Sequence, residues 1–103
     1  MAYTIRAYER ADASLSERLP SLIRRFPCLK GARGIDPWDA EAFYAWVTAQ
    51  GANSPAFHAG HLALNLQGPG PWQPFDAIAA AQAWGEKDRE VFVNWMRVWR
   101  FKV

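Results

Sequence analysis

The stretch SPAFHAGHLALNLQ, residues 54–67, decides the fold class, because helical and strand patterns compete within it. Three leucines alternate with other residues, as in a β-strand. The same segment also places its apolar residues on one face of an α-helix. Ser54 is a good helix cap, and Pro55 suits the first helical position. The cap and the length of the segment predict a helix over residues 55–67.

Apolar residues at helical spacing predict four further helices on either side of this segment. Asp36 is the expected cap of one of them, with Pro37 at its first position, and Asp76 is the expected cap of another. Pro20 conflicts with a straight first helix, so one bent helix and two short pieces both remain open. The four helices are predicted over residues 14–26, 37–50, 75–84 and 86–99.

The length of 103 residues leaves room for one hydrophobic core, so residues 1–103 are predicted to form a single domain. We expect a mostly α fold, a small bundle of four to five helices with short connections. Residues 1–13 are expected to be an extended arm. Weak alternation in residues 3–8 and in residues 99–103 leaves a short pair of terminal β-strands open as an addition.

The composition excludes several classes of protein. A chain that is 50% hydrophobic and 15% aromatic is not a disordered one, and a single cysteine excludes a disulfide scaffold. No apolar stretch is long enough to cross a bilayer, so no membrane association is expected. The N-terminus lacks the apolar centre of a signal peptide, and with a lone thiol this predicts a cytoplasmic protein.

Six tryptophans dominate the aromatic content, and helical spacing directs four of them to a common core: Trp38, Trp46, Trp84 and Trp95. Trp72 is predicted to pin the loop of residues 68–74 to that core. Three further aromatic residues are the expected contacts with a partner protein if they are exposed: Trp72, Trp99 and Phe101. On the last helix Phe92, Trp95, Met96 and Trp99 are expected on the inner face.

This aromatic excess predicts a protein-binding or self-association surface, because exposed aromatic side chains form the centres of such interfaces. The preferred interpretation is a small, non-enzymatic interaction or accessory protein of the adaptor or inhibitor type. No catalytic motif is present, and nothing in the sequence calls for a cofactor.

A basic run provides the first alternative, a nucleic-acid-associated protein, because clustered cations bind phosphates. The run contains no acid, although the net charge of +2 is low for this class. It also adds to the candidate interaction surface, and its members are Arg18, Arg24, Arg25, Lys30 and Arg33.

His58 and His61 provide the second alternative, a metal-binding protein, because residues three apart share a helix face. The signal is weak, since zinc needs further ligands and none stands nearby in the sequence. The ordinary interpretation is one histidine in the core and one on the surface. Cys28 follows a basic run that would lower a thiol pKa, but a buried small hydrophobic residue is favoured over a nucleophile.

Several short segments between Ala45 and Trp95 form a recognisable pattern: Ala45-Trp46, Gln50-Gly51, His58-Ala59, Leu64-Asn65-Leu66, Phe75-Asp76, Ala81, Trp84, Arg89, Phe92 and Trp95. In these residues this part of the chain resembles short bacterial proteins of unassigned function. The resemblance implies a bacterial, helical protein and nothing about its activity.

Overall fold

The computed structural model describes residues 18–98, which form five α-helical segments and one 3-10 turn at Pro27–Leu29. This part of the chain contains no β-strand, so the small, mostly α domain is confirmed. The predicted arm and the predicted terminal strand pair lie outside the described residues. The helices are α1 (residues 18–25), α2 (Ala40–Ala49), α3 (Pro55–Gln67), α4 (Ala77–Ala83) and α5 (Glu86–Val98).

Helix α3 lies at the centre of the fold and packs against α2, α4 and the 3-10 turn. Its predicted cap is confirmed, since the hydroxyl of Ser54 accepts a hydrogen bond from the amide of Phe57 at 3.1 Å. A continuous run of its residues, from His58 to Leu64, is buried. Burial on all sides explains the ambiguous pattern, because a helix without a solvent face shows little amphipathic period.

Helices α2 and α3 approach closely at Gly60. A Cβ atom at this position would overlap the methyl groups of Val47, which is itself fully buried. Glycine therefore permits the packing distance between the two central helices.

The predicted start of α2 is wrong. Asp39, not Asp36, caps the helix, and its carboxylate accepts from the amide of Ala42 at 3.2 Å. The Asp39 amide donates to the carbonyl oxygen of Gly34 at 2.8 Å, so Pro37 belongs to the preceding turn. The later start is consistent with the burial of Phe43 in the core.

The other boundaries differ by a few residues from the prediction. Residues 18–25 are helical through Pro20, and Phe26 is buried just beyond the helical segment. Asp76 caps α4 as predicted, through the amide of Ala79. Trp84 follows α4 as a buried residue instead of belonging to the helix.

The tryptophans converge on the core to different degrees. Trp84 is buried, and its Nε1 donates to the carbonyl oxygen of Pro55 at 3.1 Å. Trp38, Trp46 and Trp95 are partly buried and pack against the core. No helix within residues 18–98 combines the length and apolar character needed to cross a bilayer.

Candidate interaction surface on helix α5

A polar contact and aromatic stacking hold the inner face of α5 within the described part of the chain. Asp88 is 8% exposed, and its Oδ1 accepts from the amide of Cys28 at 3.2 Å. The Phe92 ring stacks on Trp95 with centroids 5.6 Å apart and lies 5.3 Å from Trp84. These contacts fix the rotation of α5 about its axis.

The outer face of α5 exposes two large apolar side chains one turn apart. Val93 is 47% exposed and Met96 is 55% exposed. Met96 was expected on the inner face, and this expectation is wrong. With Asp88 and Phe92 packed inward, the helix is oriented so that Val91, not Met96, contacts the core. On α4, Ile78 is also exposed, at 76%.

A shallow, open depression of about 380 Å³ runs along this outer face. Residues of α5 alone line it, so no other described element covers the face: they are Glu86, Arg89, Glu90, Val93 and Asn94.

The charges of this face are divided along the helix. Glu86 and Glu90 lie in the N-terminal half, and Arg97 lies in the last turn, all of them exposed. Glu86 and Glu90 are four residues apart, a spacing at which like charges repel each other. Among residues 18–98 the structure gives one ion pair, Arg24–Asp36, so none of these three charges is neutralised by a salt bridge there.

Arg89 adds one positive charge to the N-terminal half of this face, and its side chain has an uncharged partner on the preceding helix. Its Nε donates to the carbonyl oxygen of Ala81 at 3.2 Å. This bond ties α5 to the last turn of α4.

Of the aromatic contact residues predicted from the sequence, only Trp72 is described. It is half-buried, its Nε1 donates to the carbonyl oxygen of Gly68 at 3.0 Å, and its ring lies edge-on to Tyr44 at 5.7 Å. Trp72 therefore pins the loop as expected and offers only part of its ring to a partner. Trp99 and Phe101 lie outside the described residues.

The five predicted basic residues are all exposed, on α1 and in the loop after it. Arg18 and Arg25 are seven residues apart and so share a face of α1. Arg24 is engaged by Asp36, with 3.3 Å between its Nη2 and Oδ2. This pair reduces the positive potential of the run.

Both histidines are buried, which corrects the expectation that one of them lies on the surface. Nδ1 of His61 donates to the carbonyl oxygen of Phe57 at 2.8 Å. Nε2 of His58 is buried without a hydrogen-bond partner in the described structure. Burial lowers the pKa of His58, and nearby His61 acts in the same direction, whereas Asp76 opposes the change.

A metal site would need ligands besides the two histidines. Within residues 18–98, no group of three or more His, Cys, Asp or Glu side chains is arranged to hold a metal ion.

Cys28 faces an acid instead of the cations that precede it in the sequence. Burial raises its thiol pKa, and the hydrogen bond and negative charge of Asp88 raise it further. This environment disfavours the nucleophilic thiolate. Cys28 packs against the core but is only partly buried, whereas the sequence favoured a buried residue.

Sequence reasoning did not select Val93 and Met96 as contact residues. The sequence contains a weak indication of these two residues, because the apolar side chains of the last helix extend around more of its circumference than Phe92 and Trp95 alone cover. Which side of α5 faces the core depends on Asp88, and its hydrogen-bond partner Cys28 lies far away in the sequence.

Comparison with protein-family models, with curated proteins and with solved structures gives no significant match. Function is therefore inferred from the geometry and chemistry of the described residues. The resemblance of the segment from Ala45 to Trp95 to short bacterial proteins stays a prediction.

Proposed function

We propose that this protein is a small, non-enzymatic interaction module of the adaptor or inhibitor type, and that the outer face of α5 is a contact surface. The observation that carries the proposal is the pair Val93 and Met96, two large apolar side chains exposed next to each other. Apolar side chains surrounded by charges are typical of protein-binding surfaces. A cytoplasmic location is part of the proposal.

The position of the pair supports this role. The opposite face of α5 is anchored by Asp88 and by the stacked rings of Phe92 and Trp95. A contact surface on an anchored helix loses little conformational freedom on binding, and this favours affinity.

Photo-crosslinking in cells of the native host tests the proposal. A photoreactive phenylalanine analogue replaces Met96 in one variant and the exposed Thr48 of α2 in a control variant. We expect a discrete covalent adduct from position 96 and none from position 48. The proposal fails if neither position gives an adduct, or if both give the same ones.

A nucleic-acid-associated role is the second candidate, and the exposure of all five basic residues between Arg18 and Arg33 favours it. Such a surface binds phosphates without sequence preference, with an affinity that falls steeply as salt is added. Fluorescence anisotropy with a random single-stranded oligonucleotide tests this role. Arg25→Glu with Arg33→Glu should abolish binding at low salt, and absence of binding by the unmodified protein overturns the role.

A further inference from the structure

We propose that the outer face of α5 binds the α5 helix of a second copy of this protein in an antiparallel arrangement. This inference rests on the proposed interaction role and names the partner of the same surface. The face is self-complementary, because it carries a projection and a matching depression, and because the net negative charge of its N-terminal half is matched by a positive charge, Arg97, in its last turn.

The shape of the face provides the first argument. The depression is lined by Glu86, Arg89, Glu90, Val93 and Asn94. The first four are spaced i, i+3, i+4 and i+7, which is the spacing of the four-residue hole that receives one side chain in paired helices. Met96 is exposed one turn beyond Val93 and is flexible enough to fill an irregular depression.

A two-fold axis satisfies both copies at once. In an isologous dimer each copy offers the same surface. Met96 of the first copy therefore enters the depression of the second, and Met96 of the second copy enters the depression of the first. The two Val93 side chains then meet near the axis.

The charges provide the second argument. In this register Arg97, the residue after Met96, lies beside Glu86, Arg89 and Glu90 of the second copy. The two glutamates outnumber Arg89, whose Nε is held by the carbonyl oxygen of Ala81, so the charge that Arg97 meets is net negative. Within one helix Glu90 and Arg97 are separated by about 10 Å along the axis, which is too far for an ion pair. The antiparallel pairing therefore neutralises charges that the described part of a single chain leaves unpaired, whereas a parallel pairing brings like charges together.

The expected dimer is weak. One pair of 13-residue helices gives an interface at the small end of the specific range, which corresponds to transient association. Its ionic contacts are exposed to solvent, so added salt weakens it further.

Charge exchange tests the pairing, with the mass in solution measured by sedimentation and light scattering up to about 1 mM protein. We expect a concentration-dependent approach to the dimer mass for the unmodified protein. Glu90→Arg and Arg97→Glu should each weaken association by about tenfold or more, because each places like charges opposite one another. Glu41→Arg, an exposed charge reversal on α2, is the matched control and should leave the dimer unchanged.

The two single variants also test the antiparallel register when they are mixed. The arginine introduced at position 90 then faces the glutamate introduced at position 97 of the other variant, and the remaining pair is the natural Arg97 with the natural Glu90. The mixture should therefore form a mixed dimer at concentrations where each variant alone is monomeric. A misfolded variant would not regain association on mixing. A protein that stays monomeric at all concentrations overturns the inference, as does a dimer that neither reversal affects.

The crosslinking experiment separates this inference from the proposed function. An adduct at position 96 with twice the mass of the chain supports self-association. Adducts only with a different protein, together with a monomeric purified protein, overturn self-association and leave the interaction role supported. No adduct from position 96 contradicts both.

Discussion

The amide of Cys28 donates a hydrogen bond to the carboxylate of Asp88, a residue sixty positions further along the chain. The bond joins the 3-10 turn after α1 to the first turn of α5, and Asp88 is nearly inaccessible to solvent. An acid in the first turn of a helix is also favoured by the helix dipole. Asp88 therefore helps to set which face of α5 is buried and which one is exposed.

Loss of this contact should destabilise the fold. Asp88→Ala leaves a partly buried amide unpaired, so we expect the free energy of unfolding to fall by about 1–3 kcal/mol. Asp88→Asn keeps an acceptor oxygen and should cost less. Glu86→Ala, on the exposed side of the same turn, is the control and should change stability by less than about 0.5 kcal/mol. Urea unfolding measures all three, and equal effects of the two alanine variants would contradict the assignment.

The reactivity of Cys28 follows from the same pair. Because burial and Asp88 both raise the thiol pKa, alkylation by iodoacetamide at pH 8 should be slower by about tenfold or more than in urea. Asp88→Asn removes the negative charge and should accelerate the reaction in the folded protein. Mass spectrometry of timed samples gives the rates. A folded protein that reacts as fast as the unfolded one would contradict the raised pKa.

The contact between α2 and α3 predicts a size-dependent effect at Gly60. Gly60→Ala places a methyl group against Val47, and we expect a loss of about 1–3 kcal/mol in the free energy of unfolding. In a Val47→Ala background the same change should cost much less, because the overlapping methyl groups are gone. Gly85→Ala meets no atom within 4 Å and is the matched control. Additive effects of the two substitutions would show that Gly60 and Val47 do not interact.

The burial of His58 predicts that stability depends on pH. Its pKa is lowered in the folded state, so the unfolded chain binds the proton more tightly. Stability is therefore highest above the unfolded pKa of about 6.5 and should fall as the pH decreases from about 7.5 to about 5.5. His58→Leu removes this group. The urea midpoint of this variant should change less over the same pH range than that of the unmodified protein, with Asp76 and His61 present in both. An unchanged pH dependence in that variant would assign the effect to other groups.

Much of the local structure could be predicted from the sequence. Ser54 and Asp76 were identified as caps, and the Pro- and Gly-rich residues 68–74 were expected to be irregular. These features depend on interactions within one helical turn, which neighbouring residues specify. The predicted cap Asp36 was wrong, although Asp39, the observed cap, is a residue of the same type three positions later. The turn that the Asp39 amide closes on the carbonyl oxygen of Gly34 places residues 35–38 before the helix, so Asp39 is the cap.

The candidate surface could be predicted only in part. Phe92 and Trp95 were expected on the inner face and are packed against the core, whereas Met96 was expected there and is exposed. One histidine was expected on the surface, and both are buried. The rotation of α5 depends on Asp88 meeting Cys28 and on the Phe92 ring packing near Trp84. No pattern within α5 contains that information.

The sequence by itself determined that this is a small helical domain with an aromatic core, because composition, caps and periodicity act over a few residues. Only the tertiary structure decided which side of α5 faces solvent and therefore where a partner can bind. The physical reason is that the rotation of a helix about its axis is set by the side chains packed against it. In this fold those contacts come from as far away as Cys28.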